Sequence, residues 1–233
     1  MDIEHITNRE AKEVLAKLIT QKVQDNQTIG FGWGSTAYLA AIEIGKKVQS
    51  EKLNIIGIPT TKEMEELCKG YGIKIGNLLE NELDWAFDGA DEVDEKNNMI
   101  KGMGRAMFKE KLNIVSSPLT YILVDNTKLV KELGKAHPVP VEVFPTAVKY
   151  VSNELTKLGA TETIYRGMTE NNNAFSIPPI FNECVEIKIF FIMQFLSIFG
   201  ANILNKSDLW KNILWFMMIF SFFFVSLSPR CYD

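Results

Sequence analysis

Residues 83–115, LDWAFDGADEVDEKNNMIKGMGRAMFKEKLNIV, decide how this chain is read. An apolar run ending at Phe87 breaks off into Asp88-Gly89-Ala90-Asp91-Glu92. A polar turn follows, then Lys101 with Gly102 and Gly104 behind it, then a charged amphipathic segment carrying Glu110. The run predicts a buried strand over 84–87, and the acidic ending predicts a site at its carboxyl edge. Carboxylates, a lysine and flexible backbone gathered in one stretch point to proton transfer on an anionic small molecule. Singly, each residue has a plainer reading. An Asp after a strand caps turns and helices, and Glu110 between Lys109 and Lys111 fits a solvated helix face. Their succession carries the argument.

Working outward, the flanking sequence repeats the same arrangement. Residues 8–23 place Ala11, Leu15, Leu18 and Val23 at helical intervals. Residues 28–31 predict a short buried strand, followed by Gly32-Trp33-Gly34-Ser35-Thr36 and a helix. A strand, a glycine turn and a helix point free backbone N–H groups at a phosphate, although such turns also use glycine for geometry alone. Residues 54–58 predict another strand, and Thr60 with Glu63 predicts a capping box for a helix burying Met64, Leu67, Cys68 and Tyr71, closed by Gly72. Cys68 falls on the apolar face and is expected to be a core thiol. Residues 121–124 predict a fourth strand, ending in Asp125-Asn126-Thr127-Lys128. Strands alternating with helices imply an α/β fold, a mostly parallel sheet with helices on both faces. Ligands gather beyond the carboxyl ends of such strands. The four endings GWGST, PTT, DGADE and DNTK are therefore expected to converge.

Composition narrows the chemistry. The chain has 233 residues and a net charge of −4, without the basic surplus of a nucleic-acid binder. The charged N-terminus lacks an apolar signal segment, and three cysteines without CxxC spacing fit a reduced, cytoplasmic setting rather than disulfides or zinc. Only two histidines occur, His5 and His137, so acid–base work falls to carboxylates and lysines.

Beyond His137 the texture changes. HPVPVEVFP is extended, AVKYVSNELTKLG is amphipathic, and TETIYRGMTENNN is strand-like, which predicts a smaller α+β unit. The expected division is 1–133 for the main domain, 134–181 for a partial small domain and 182–233 for an apolar tail of doubtful fold. Residues 187–204 and 213–227 are nearly free of charge. The second run falls short of the ~20 residues that span a bilayer, although Lys211 and Arg230 flank it.

GFGWGSTA, IIGIPTT, DWAFDGADEVD, MIKGMGRAMFKEK, LVDNTKLV and HPVPVEVFP, in that order, resemble the type A ribose-5-phosphate isomerase family over residues 8–173. DGADEVD, IKG and KEK are the specific parts. The resemblance implies a Rossmann-like domain with a smaller α+β domain. It implies interconversion of ribose 5-phosphate and ribulose 5-phosphate through an enediolate, without metal or cofactor, in homodimers or homotetramers of the pentose phosphate pathway. By motif, Glu110 matches the general base, Lys101 the oxyanion stabiliser, and Asp88 with Asp91 the pair for ring opening and sugar hydroxyls. Ser35, Thr36, Lys128 and Lys12 match phosphate contacts, with Gly32, Gly34, Gly102 and Gly104 admitting substrate to the backbone. The physical reading agrees, since a carboxylate must supply the base where histidine is nearly absent. A fixed lysine then acts on the charge that develops as the proton leaves.

The chain departs from the family pattern in four places. Trp33 stands for a small hydroxyl residue, Met103 and Arg105 stand for small residues, and nothing recognisable follows TENNN. A frameshifted or intron-derived ending is the preferred account of that tail, and a membrane-seeking tail is its rival. The competing functions are a non-catalytic sugar-phosphate-binding protein, an impaired isomerase, an amino-sugar-phosphate deaminase and a coenzyme A transferase. Retention of Asp88, Asp91, Lys101 and Glu110 together favours the isomerase.

Overall fold

The computed structural model describes residues 5–134, 137–143, 145–165 and 183–189. The chain opens with α1 (Arg9–Thr20) and β1 (Thr28–Phe31), followed by α2 (Ser35–Glu51), β2 (Ile56–Pro59), α3 (Lys62–Gly70) and β3 (Lys74–Ile75). Then come β4 (Trp85–Asp88), β5 (Glu92–Val93), β6 (Met99–Ile100), α4 (Met107–Ser116) and β7 (Thr120–Ile122). The main sheet has the order β3-β2-β1-β4-β7, with every pairing parallel. Strands buried on both faces need apolar residues throughout, which is why β4 reads as an unbroken Trp85-Ala86-Phe87 run. The core joins Ile29, Phe31, Phe87 and Trp85 to Ile44 of α2 and to Met64 and Cys68 of α3. Phe31 and Phe87 meet edge to face with centroids 5.0 Å apart. Burial pushes the Cys68 thiol up to about 12, as expected of a core thiol.

One feature of this order places the site. From β1 the chain moves outward through α2 to β2 and β3, then returns to add β4 on the other side of β1. Right-handed crossovers put α2 and α3 on one face and α4 on the other. The reversal leaves a crevice at the carboxyl ends of β1 and β4. The two ends lie close: the Gly32 amide donates to Phe87 O at 2.9 Å, and a Cβ on Gly32 would stand 2.2 Å from Asp88 Cγ. Only glycine fits there.

The small unit contains β8 (Val139–Val143), α5 (Val148–Lys157), β9 (Ala160–Tyr165) and β10 (Glu183–Ile189). Its sheet has the order β8-β10-β9, with β10 antiparallel to both neighbours. β10 thus lies within the 182–233 segment set apart in sequence as a tail. The apolar run 213–227 and most of 187–204 lie outside the described residues. Among the described residues no helix is long and apolar enough to cross a membrane.

Some local expectations shift. The N-cap of α3 is Thr61 rather than Thr60, its side chain accepting from the Met64 amide at 3.1 Å. Thr60 is buried behind it. Between Asp91 and Lys101 the polar turn closes a hairpin of two-residue strands, β5 paired antiparallel with β6 across residues 94–98.

Candidate active site

Asp88 is the last residue of β4, and burial of its carboxyl at that strand end calls for partners. Its Oδ1 accepts the Gly89 amide at 2.7 Å, and its Oδ2 lies 3.0 Å from Lys101 Nζ. Lys101 follows β6 directly. The hairpin sets it beside Asp91, because the Asp91 amide donates to Ile100 O at 2.8 Å. Lys101 Nζ also reaches Glu110 Oε2 at 3.0 Å and donates to Gly89 O at 2.6 Å. The ammonium is thus ion-paired with both carboxylates while donating a hydrogen bond to the Gly89 carbonyl.

Glu110 lies in the first turn of α4 and is 3% exposed, so it is not the solvated face its lysine neighbours imply. Burial raises its pKa to about 7; Lys101 opposes the shift and Asp88 adds to it. Asp88 is also raised by burial, against the pull of Lys101 and of the Gly89 and Trp33 amides. Burial alone would lower Lys101, but the two carboxylates hold it above the ordinary lysine range. One cation fixed between two carboxylates of raised pKa is an arrangement for moving protons at neutral pH.

Across the cleft stands the start of α2. Gly34 is its N-cap at φ 139°, and Ser35 and Thr36 open its first turn. A helix end with hydroxyls and free amides is an anion site. Lys128, after β7, lines the same cleft, which encloses about 460 Å³ of space open to solvent. Trp33, Gly34, Ser35, Thr36, Asp91, Lys101, Gly102, Gly104, Glu110 and Lys128 all line it.

Three of the expected residues, Asp88, Gly32 and Lys12, do not line the cleft; Asp88 stands behind Lys101. Gly32 is the point where β1 touches Asp88. Lys12 is 3% exposed and donates to Ser35 Oγ at 2.9 Å, beneath the helix start rather than on the cleft lining. The PTT ending of β2 contributes no lining residue and caps α3 instead.

The three departures also have positions. Trp33 forms part of the cleft wall, edge-on to Tyr38 at 6.2 Å and close enough that a Cβ on Gly104 would stand 3.1 Å from its ring. The Met103 amide donates to Asp91 Oδ2 at 3.0 Å, so Asp91 also ties down the glycine loop. Arg105 adopts φ 60°, a conformation that disfavours residues with a Cβ.

Three carboxylates have supporting roles that the sequence alone does not assign, although Glu92 and Asp125 fall within the strand endings DGADE and DNTK. Glu92 is 1% exposed and accepts the amides of Gly134 and His137 at 2.7 and 3.0 Å, pinning the hairpin to the strand leading into β8. Glu142 of β8 accepts the Phe108 amide at the start of α4. Asp125 links Asn8, Thr127 and Lys12. Apart from Thr127, their partners lie far off in sequence, which local patterns do not report. Among the described residues no group of three or more His, Cys, Asp or Glu is placed to hold a metal ion.

The sequence model of the family described as ribose 5-phosphate isomerase A (phosphoriboisomerase A) matches residues 56–177. Ribose-5-phosphate isomerase A of Methanocaldococcus jannaschii is 39% identical over 176 residues, covering 72% of this chain and 78% of that protein. The solved structure of ribose 5-phosphate isomerase A from the same organism superposes with a TM-score of 0.72 at 35% identity, covering 78% of this chain and 81% of the other. A D-ribose-5-phosphate isomerase in complex with phospho-erythronic acid gives a TM-score of 0.72 at 33% identity, covering 81% and 82%.

Proposed function

The chain belongs to the ribose 5-phosphate isomerase A family, and from that membership we propose how its cleft isomerises D-ribose 5-phosphate and D-ribulose 5-phosphate. The observation that carries the assignment of roles is Lys101 Nζ, held 3.0 Å from both Asp88 and Glu110 opposite a helix N-terminus.

The phosphate binds at Ser35, Thr36 and Lys128, with Lys12 behind them, and this remote binding fixes the sugar's reactive end. Asp88, whose raised pKa favours its acid form, gives a proton to the ring oxygen as the furanose opens and takes up the anomeric hydroxyl's proton in exchange. Asp91 bonds the sugar hydroxyls. Glu110 takes the proton from C2, and negative charge develops on the carbonyl oxygen at C1. The hydroxyl proton on O2 passes to O1, and Glu110 returns its proton to C1. That sequence balances: the carbonyl moves from C1 to C2, with no electron acceptor needed.

Lys101 follows the charge. In the free site its ammonium lies between the Asp88 and Glu110 carboxylates and donates to Gly89 O. As Glu110 accepts the substrate proton it becomes neutral and holds the ammonium less strongly. The lysine's N–H then turns to the new oxyanion, and the net charge of the cluster is preserved. A base with pKa near 7 is matched to this work, a contribution on the order of 10²–10⁴-fold. A phosphorylated aldonic acid such as phospho-erythronic acid, with a planar carboxylate where the enediolate forms, is expected to inhibit.

The wider setting follows from the family resemblance: the non-oxidative branch of the pentose phosphate pathway, in the cytoplasm, as a homodimer or homotetramer, with residues 1–133 as the catalytic domain and 134–181 as part of the small one. An assay of the full chain on ribose 5-phosphate, glucosamine 6-phosphate and an acyl-CoA tests the function. Turnover of ribose 5-phosphate alone is expected. Binding of ribose 5-phosphate without turnover would make the chain a sugar-phosphate-binding protein instead.

A further inference from the structure

Outside the Asp88–Lys101–Glu110 cluster, the polar group most tightly built into the site is Asp125, immediately after β7. Its side chain is 1% exposed and lines no part of the cleft. Oδ1 accepts the Thr127 amide at 2.9 Å, the Asn8 side-chain amide at 3.2 Å, and the Thr127 hydroxyl. Oδ2 faces Lys12 Nζ at 3.8 Å. Lys12 in turn holds Ser35 Oγ, and Thr127 belongs to the short turn Asn126–Lys128 that brings Lys128 to the cleft.

Asn8 adds an independent sign of the same construction. It is the N-cap of α1, yet its side chain makes no capping bond. At φ 50° it instead reaches across 117 residues to Asp125. An asparagine that forgoes its ordinary local bond marks a junction that local structure does not require.

We propose that Asp125 is the positioning residue of the phosphate end, joining the helix that carries Lys12 to the turn that carries Lys128. The inference rests on the sugar-phosphate reading above. Asp125 touches no ligand and acts through the two lysines. The charged groups facing Lys12 are Asp125 and Lys128. Burial lowers the Lys12 ammonium, Lys128 lowers it further, and Asp125 opposes both. Burial raises Asp125 itself, but its Thr127 bonds, Lys12 and Asn8 hold it below the ordinary aspartate range, so it stays ionised. Neutralising Asp125 loosens Lys12 and favours loss of its proton. The proton-transfer cluster across the cleft keeps its own bonds.

The test is steady-state kinetics on ribose 5-phosphate with the full chain, Asp125→Asn, Lys12→Gln and the double variant, each checked by thermal melting. Asp125→Asn is expected to raise KM about tenfold, as for a lost bond to a buried charge. Its kcat should stay within about twofold of the parent. The inhibition constant of inorganic phosphate should rise with KM. In Asp125→Asn alone, KM should climb further as pH rises and Lys12 deprotonates. On the Lys12→Gln background, Asp125→Asn should add little. An unchanged KM, a parallel fall in kcat, or fully additive effects would each overturn the proposal. A parent that does not isomerise ribose 5-phosphate overturns the sugar-phosphate reading and this inference with it. An active parent whose KM is indifferent to Asp125 overturns this inference alone.

Discussion

Glu110 and Lys101 differ in what sequence could say about them. Their order after DGADE marks both as chemical residues, but Lys109 and Lys111 give Glu110 the look of a surface helix. Its burial comes from the fold, because the start of α4 turns under the loop of Gly102 and Gly104, both on the cleft lining. That burial sets a pH dependence. Glu110 must be ionised to accept a proton, so kcat/KM should fall about tenfold per pH unit below its pKa of about 7 and level off above it. Stability should run the other way. A carboxylate raised from 4.5 to about 7 binds its proton more tightly when folded. Its contribution is therefore full below pH 4.5 and is lost as pH rises through 7. Melting curves of Glu110→Gln and the parent should diverge from pH 5 to pH 8 in favour of the variant. A difference that does not change with pH would contradict the burial of this group. The supporting roles of Asp125, Glu92 and Glu142 were not legible, since Asn8 and Lys12, Gly134 and His137, and Phe108 are brought to them only by the fold.

Among the elements, the long ones were readable because four or more residues of one period announce themselves. β3, β5 and β6, of two residues each, carry no period at all. Yet β5 and β6 align Asp91 with Lys101. The capping of α4 is equally hidden. Its N-cap, Ala106, has no side-chain acceptor, and the Phe108 amide is met instead by Glu142 from β8. Pro140 of the same strand lies against Gly102, where an added Cβ would stand 2.9 Å from its ring. The small sheet thus braces the helix that carries the base. Glu142→Ala should cost about 1 kcal/mol, the usual weight of a lost cap. It should also lower kcat severalfold and speed amide exchange over residues 107–110. Glu142→Gln, which keeps an acceptor oxygen, should recover most of this. Exchange at those amides unchanged in Glu142→Ala would show that β8 does not hold the helix.

Across the whole molecule, the parallel sheet was legible from the alternation of strand and helix, and the cleft from the polar strand ends. Three of the four endings meet there, and the fourth, after β2, supplies the N-cap of α3 instead. The middle position of β10 was not legible, since 183–189 continues into the apolar composition of the tail and its partners lie 20 to 48 residues upstream. On the proposed reading, the fold sets the start of α2, offered to the phosphate, across one cleft from Lys101 and Glu110, offered to the proton transfer. The central claim is that Glu110 carries the proton between C1 and C2. The direct measurement is NMR of ribose 5-phosphate incubated with the full chain in D₂O, beside Glu110→Gln. The parent is expected to form ribulose 5-phosphate with deuterium entering at the exchanging carbon, and the variant to bind the sugar phosphate while turnover falls roughly 10²–10⁴-fold. Isomerisation by Glu110→Gln at the parental rate would contradict the account.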